Sequence, residues 1–349
     1  MITIGRLGRI LLLTACVWAS PSVVRAQSKG VPIESDSSVP SQAVLDQAER
    51  LRAGGQLFSS GAISAQLEVP VPGPVQTVGA LAKPLQPRDV ALRARASGVH
   101  VGWYYLCPDC NHWHVKLLGG YAIARDAVAT GYHCVDPTKT PMREGYLIAV
   151  DSEGKVRPVT SVLAGNKELD AVILRVGGID LVPIALNDNV APGDSAFCLS
   201  DPLGQTGYFS QGIVNRFLWL HGRKGAPGSA EELNFMRMNV STEWAPGSSG
   251  SAVLDECGNA IGHVATISPL VEKGHSSPVK PPESKSESKP GSQVGNGAEK
   301  SEPAIPAPKP VLHERFNGAV LITLHAATPA RGVLAMVREL NKPVSPLGR

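Results

Sequence analysis

The chain has 349 residues, 43% of them hydrophobic and 5% aromatic, enough to bury one large or two modest cores. Its 33 Lys and Arg nearly balance 30 Asp and Glu, and the net charge of +3 is scattered, which excludes an electrostatic case for a nucleic-acid or lipid-surface partner. The 36 Gly and 29 Pro dilute the apolar content and point to short elements joined by many turns.

Residues 1–26 carry Arg6 and Arg9, then the apolar run 10–19, then a small-residue end at Val24-Arg25-Ala26. This is the pattern of an export signal, too short for a stable membrane span, with cleavage after Ala26. It predicts an exported protein, periplasmic or extracellular, with no transmembrane anchor once the signal is removed. Leu13-Thr14-Ala15-Cys16 also resembles a lipobox, which would tether the protein through a lipid on Cys16, but bulky Val17 and Trp18 weigh against that reading. Residues 27–86 are rich in Ser, Pro, Gly and Gln and read as a flexible pro-region or spacer, apart from a short helix over 41–53.

Between Val99 and Ile267, short apolar strands alternate with Gly, Pro and Asp turns and helical periodicity is nearly absent, so an all-β barrel or sandwich is expected. Cys107-Pro108-Asp109-Cys110-Asn111-His112-Trp113-His114 puts two thiols and two imidazoles within eight residues. Zinc takes four such ligands. Ligands so close, with no second cluster, would strain to close a tetrahedron, and His112 and His114 share a strand face simply by alternation. The expectation is therefore a disulfide or a reduced surface pair, no metal and no cofactor.

Three later segments carry chemistry. Residues 120–135 read as a strand, a turn, a second strand and then His133. Residues 167–176 place Asp170 at the head of an apolar strand. Residues 245–254 hold Ser249 in a turn flanked by Gly247 and Gly250. A serine hydroxyl needs a base within reach and the base needs an acid to fix its tautomer, while glycines let backbone N–H groups converge where an oxyanion forms.

The T-G-Y-H-C run around His133, L-D-A-V-I-L around Asp170 and P-G-S-S-G-S-A-V around Ser249 resemble the three signatures of chymotrypsin-like serine proteases, in that family's order. The resemblance implies His133 as general base, Asp170 as orienting carboxylate, Ser249 as nucleophile and the N–H groups of Gly247 and Ser249 as oxyanion donors. It implies two antiparallel six-stranded β-barrels, the first over 87–185, the second over 186–270 and completed by 312–349 with a C-terminal helix. Glu243 stands where trypsin carries its pocket carboxylate, either a contact for a basic substrate residue or an acidic rim, and Thr266 lies on the strand expected to line the pocket. By the same likeness Cys198 would pair with Cys257, and Cys134 with Cys107 or Cys110.

Departures from the trypsin pattern matter too. Ser248 replaces the aspartate that captures a new N-terminus, so activation through a buried ion pair should not apply. Ser251 makes the turn more like glutamyl endopeptidases and high-temperature-requirement proteases, although no PDZ-like segment follows, and Ala252 replaces a proline. Residues 271–311 are Ser, Pro, Lys, Glu and Gly with hardly an apolar side chain, and are expected to form a disordered insertion in the second barrel. A strand over 318–324 and a helix over 329–340, with Val333, Leu334, Val337 and Leu340 on one face, should follow. The expected function is an exported serine endopeptidase acting on polypeptides. The alternatives are a peptide-binding domain without turnover and an esterase using the same groups.

Overall fold

The computed structural model describes residues 41–220, 226, 229–271 and 320–343, all within the compact unit Ser35–Arg349. The expected export signal, the possible lipid site at Cys16 and nearly all of the expected insertion lie outside the described residues. The chain is mostly β, as its turn-rich pattern predicts, and it begins with three helices: α1 (Gln42–Ala53), α2 (Ser60–Glu68) and α3 (Pro87–Ser97).

Residues 41–86 are not the flexible spacer the composition suggests. Val44 and Ala48 share one face of α1 and bury against Tyr104, Ile148 and Val150, while Ile63 and Leu67 of α2 enter the core beside Val159 and Val162. The Pro- and Gly-rich stretch after α2 has no strand pattern of its own, yet its backbone is pinned from outside. The Asn341 side-chain amide accepts from Val75 N at 2.9 Å and donates to Val75 O at 2.8 Å, and the Asn259 amide does the same at Leu81, at 2.8 and 2.9 Å. Each amide imitates one rung of a β-ladder.

The first β unit contains β1 (Val99–Leu106), β2 (Trp113–Leu118), β3 (Tyr121–Ala124), β4 (Ala127–Thr130), a single helical turn α4 (Tyr132–Val135), β5 (Glu144–Asp151), β6 (Val156–Asn166) and β7 (Ala171–Val176). It is a seven-stranded antiparallel sheet in the order β2-β1-β5-β6-β7-β4-β3, not the six-stranded barrel expected. Gly119-Gly120 splits what would be one long strand into β2 and β3, and the sheet curls until Gly98 bridges Tyr121. Register breaks between β6 and β7, at Val159/Ser161 and Val162/Ala164, provide the bend.

The second unit has β8 (Ser195–Ser200), β9 (Tyr208–Trp219), α5 (Ala230–Phe235), β10 (Met236–Val240), β11 (Ala252–Leu254), β12 (Ala260–Val271), β13 (Val320–Pro329) and α6 (Ala330–Leu340). Its six strands close into a barrel in the order β10-β13-β12-β11-β8-β9, as expected. One apolar cluster fills the space between the units, joining Tyr121, Ile123, Leu169 and Ile173 of the first to Phe197, Leu254 and Ala260 of the second. Val333 and Val337 of α6 seal it, with Leu334 and Leu340 at its margin. Each fully buried aliphatic side chain contributes about 1.5–3 kcal/mol, so this shared core makes the two units one folding body.

Candidate functional site

His133 sits in the single turn α4 directly after β4. Its backbone N–H donates to Asp170 Oδ1 at 3.0 Å, and its Nδ1 lies 2.9 Å from both carboxylate oxygens. A carboxylate only accepts, so Nδ1 carries a proton in either state of the ring, and in the neutral ring Nε2 is left with its lone pair. Burial opposes a charge on His133, but the hydrogen bonds and charges of Asp170 and the Cys134 sulfur outweigh it and lift the imidazole up to about 10. Burial likewise pushes Asp170 upward, and the His133 contacts overcome it to hold the carboxyl below its ordinary range.

Asp170 has a left-handed backbone, with φ 60, although it is not glycine. Side chains from the second barrel hold that turn. Arg237 donates to the Glu168 carbonyl at 2.9 Å, Thr328 Oγ1 to the Leu169 carbonyl at 3.1 Å and His263 Nε2 to the Asp170 carbonyl at 2.9 Å. His263 is completely buried, and burial drives its pKa down to about 4, so it stays neutral with its proton on Nε2. Its Nδ1 then accepts from the Tyr121 hydroxyl at 3.5 Å. Sequence reasoning does not find this clasp. The only available signal was a histidine inside the otherwise apolar start of β12.

Ser249 is half-buried in the turn after Trp244. Gly247 has φ 106 and Gly250 φ 81, and a Cβ on Gly247 would lie 2.6 Å from the Asp201 carbonyl oxygen. The N–H groups of Ser248, Gly250 and Ser251 bond to the carbonyls of Ala245, Val264 and Ser248. Among the described residues, those of Gly247 and Ser249 have no partner. Two free donors thus flank the serine. Ser248 is fully buried, with no partner for its hydroxyl among the described residues.

Gly119 ties the two halves together. Its N–H donates to the Ser249 carbonyl at 2.7 Å, and its own carbonyl accepts from Thr130 Oγ1, at the end of β4, at 2.6 Å. No hydrogen bond joins Ser249 Oγ to His133 Nε2, whose nearby sulfur neighbour is Cys134 Sγ at 3.8 Å.

A cleft of about 500 Å³ opens beside this group. His133, Cys134 and Asp170 line it together with Trp103, Lys116, Leu118, Lys139, Thr140, Ala265 and Thr266. Thr266 is one of the residues that line this cleft. Glu243 is outside this cleft, exposed, and accepts a hydrogen bond from the Tyr208 hydroxyl at 2.6 Å. Trp244 is buried and donates to the Thr266 carbonyl at 3.2 Å, with the His325 ring edge-on to it.

The disulfides implied by the resemblance do not form: Cys107, Cys110, Cys134, Cys198 and Cys257 are all free. Cys198 is buried in β8 opposite Val253, whereas Cys257 lies beyond the end of β11 in the turn toward β12. Cys134 turns toward His133, away from the β1–β2 hairpin tip that carries Cys107 and Cys110.

Residues 119–262 match the family model described as a trypsin-like peptidase domain, a span that contains His133, Asp170 and Ser249. A comparison with curated proteins finds no match. The family match supports a peptidase of the serine-protease type, and a peptidase domain implies a polypeptide substrate. Among the described residues no helix is long and apolar enough to cross a membrane.

Proposed function

We propose that the protein is an exported serine endopeptidase with Ser249 as nucleophile, His133 as general base and Asp170 as the carboxylate that orients it. The observation that supports this reading is a carboxylate-bound imidazole in the same fold as a serine turn whose Gly247 and Ser249 N–H groups have no partner among the described residues. In the proposed reaction a scissile carbonyl carbon accepts the Ser249 oxygen while His133 Nε2 takes the hydroxyl proton. The oxygen of the tetrahedral intermediate meets the N–H groups of Gly247 and Ser249, each such donor being worth about 2.7–4 kcal/mol in the transition state. His133 hands its proton to the leaving amine, and water repeats the sequence on the acyl-enzyme. Asp170 stays ionised throughout, and the downward shift of its pKa suits that role.

Fluorophosphonate labelling combined with cleavage of a peptide library tests the reading, with Ser249→Ala as control. Labelling and peptide turnover that both vanish in Ser249→Ala support it. Labelling without peptide turnover would favour the esterase, and no labelling would favour a binding domain. Mass spectrometry of the secreted form checks cleavage after Ala26 independently.

A further inference from the structure

The hairpin tip between β1 and β2 gathers groups that the proposed hydrolysis does not use. The two strands pair with Leu106 opposite Trp113 and Tyr105 opposite His114. Cys107 N–H donates to the His112 carbonyl at 2.9 Å, Asn111 N–H to the Cys107 carbonyl at 3.2 Å, and Asn111 takes φ 57 to reverse the chain. This turn answers the geometric objection raised by short sequence spacing. Cys107 leaves on one strand, Cys110 sits in the loop and His114 returns on the other strand. Their Sγ, Sγ and imidazole nitrogen atoms all lie within 4.8 Å of one another, with Cys110 Sγ only 2.9 Å from His114 Nε2.

A tetrahedral zinc ion, with Zn–S about 2.3 Å and Zn–N about 2.0 Å, holds its ligand atoms about 3.5 Å apart. The three groups need move no more than about 1 Å to meet that requirement. His112 is directly across from Cys107, on the strand face that His114 shares, and opposed residues in a hairpin have Cβ atoms about 5 Å apart. Its ring lies outside the trio in this structure and would have to rotate inward to supply the fourth ligand. Two thiolates with two imidazoles suit zinc and do not suit calcium or magnesium, which take oxygen ligands.

We propose that the β1–β2 hairpin tip binds one zinc ion through Cys107, Cys110, His114 and His112, in a closed structural site. On binding, the two thiols release their protons to solvent and both imidazoles bind through neutral nitrogens. The site sits on an edge strand. β2 pairs only with β1, yet it carries Lys116 and Leu118 into the cleft and leads into Gly119, which holds the Ser249 carbonyl. Zinc at the tip anchors the free end of that strand.

The experiment uses the full secreted chain, purified without added reductant or chelator, with zinc measured per chain and thiols counted by mass spectrometry. One zinc per chain and reduced Cys107 and Cys110 are expected. After exchange, cobalt should show thiolate charge-transfer bands and the intense visible bands of a tetrahedral ion. Cys110→Ser, His114→Ala and His112→Ala should each weaken zinc binding by more than about tenfold, while Cys257→Ser should leave it unchanged. Should a ligand variant fail to fold, the cobalt spectrum of the unaltered chain still decides. A Cys107–Cys110 disulfide with no zinc, or an octahedral cobalt spectrum, overturns the proposal. Full affinity in His112→Ala overturns the closed four-ligand set.

Discussion

The turn around Ser249 and the turn around Asp170 both use left-handed backbone, and they secure it by opposite means. Near Ser249 the unusual angles fall on Gly247 and Gly250, so the local sequence permits the shape at little cost. At Asp170 the residue has a side chain, at a cost of about 1 kcal/mol. That conformation is kept by Arg237, Thr328 and His263 of the other β unit. One turn is encoded where it stands, and the other is imposed by residues far along the chain. The units are thus coupled through the carboxylate as well as through their shared core.

The largest expected effect tests whether the Asp170 turn exists to present a charge. Asp170→Asn keeps the size of the side chain, but its amide can donate to His133 Nδ1 and so favours the wrong tautomer. Turnover of a cleaved peptide should fall by about 10⁴-fold with little change in thermal stability. A loss below about tenfold would show that the held turn serves structure alone.

Gly250→Ala breaks the opposite turn. The new Cβ would collide with the Gly119 carbonyl oxygen and Thr130 Oγ1, in a backbone region that alanine avoids. Because the contact on one side is main chain, relief requires the two units to shift. A loss of about 3 kcal/mol or more in chemical denaturation is expected, together with loss of fluorophosphonate labelling. Alanine tolerated there with unchanged stability would mean that the glycine is not forced by the approach of Gly119.

Acidity gives a subtler probe. His133 is raised to about 10, so at neutral pH it is largely protonated, and only the deprotonated form can take the Ser249 proton. Activity should therefore climb with pH, by about tenfold per unit on the steep limb, with an apparent pKa above the ordinary histidine value of about 6.5. The share contributed by Cys134 can be separated. Cys134→Ala should move the limb to lower pH, because it removes one of the groups that favour the imidazolium. A limb at or below about 6.5 in the unaltered protein would contradict the strong pairing seen with Asp170.

The same contrast explains what the sequence discloses. Gly247 and Gly250 advertise their turn, and the runs before His133 and after Asp170 announce strands by their apolar content. The helix over 41–53 and the closing strand and helix after residue 318 are readable for the same local reason. The strap over 69–86 is not, because its order comes from the Asn259 and Asn341 amides, 178 and 266 residues away from the backbone they grip. His263 is hidden likewise: its meaning depends on a carbonyl 93 residues earlier. The cysteines mislead in the other direction, since their positions match a disulfide pattern while β8, α4 and the hairpin tip point the sulfurs elsewhere.

The smallest effect separates a hydroxyl that holds the Asp170 turn from one that holds nothing. Thr328 and Thr242 are both fully buried in the second unit. Thr328 Oγ1 donates to the Leu169 carbonyl, whereas Thr242 Oγ1 has no partner among the described residues. Valine has nearly the shape of threonine, so each substitution removes mainly the hydroxyl. Thr328→Val strands a buried carbonyl beside Asp170 and should cost about 1–2 kcal/mol, lowering Tm by about 2–4 °C with a few-fold fall in kcat. Thr242→Val removes an unsatisfied group and should leave Tm unchanged or raise it slightly, with kcat unaffected. Equal responses from the two variants would show that the clasp on Leu169 does not reach Asp170.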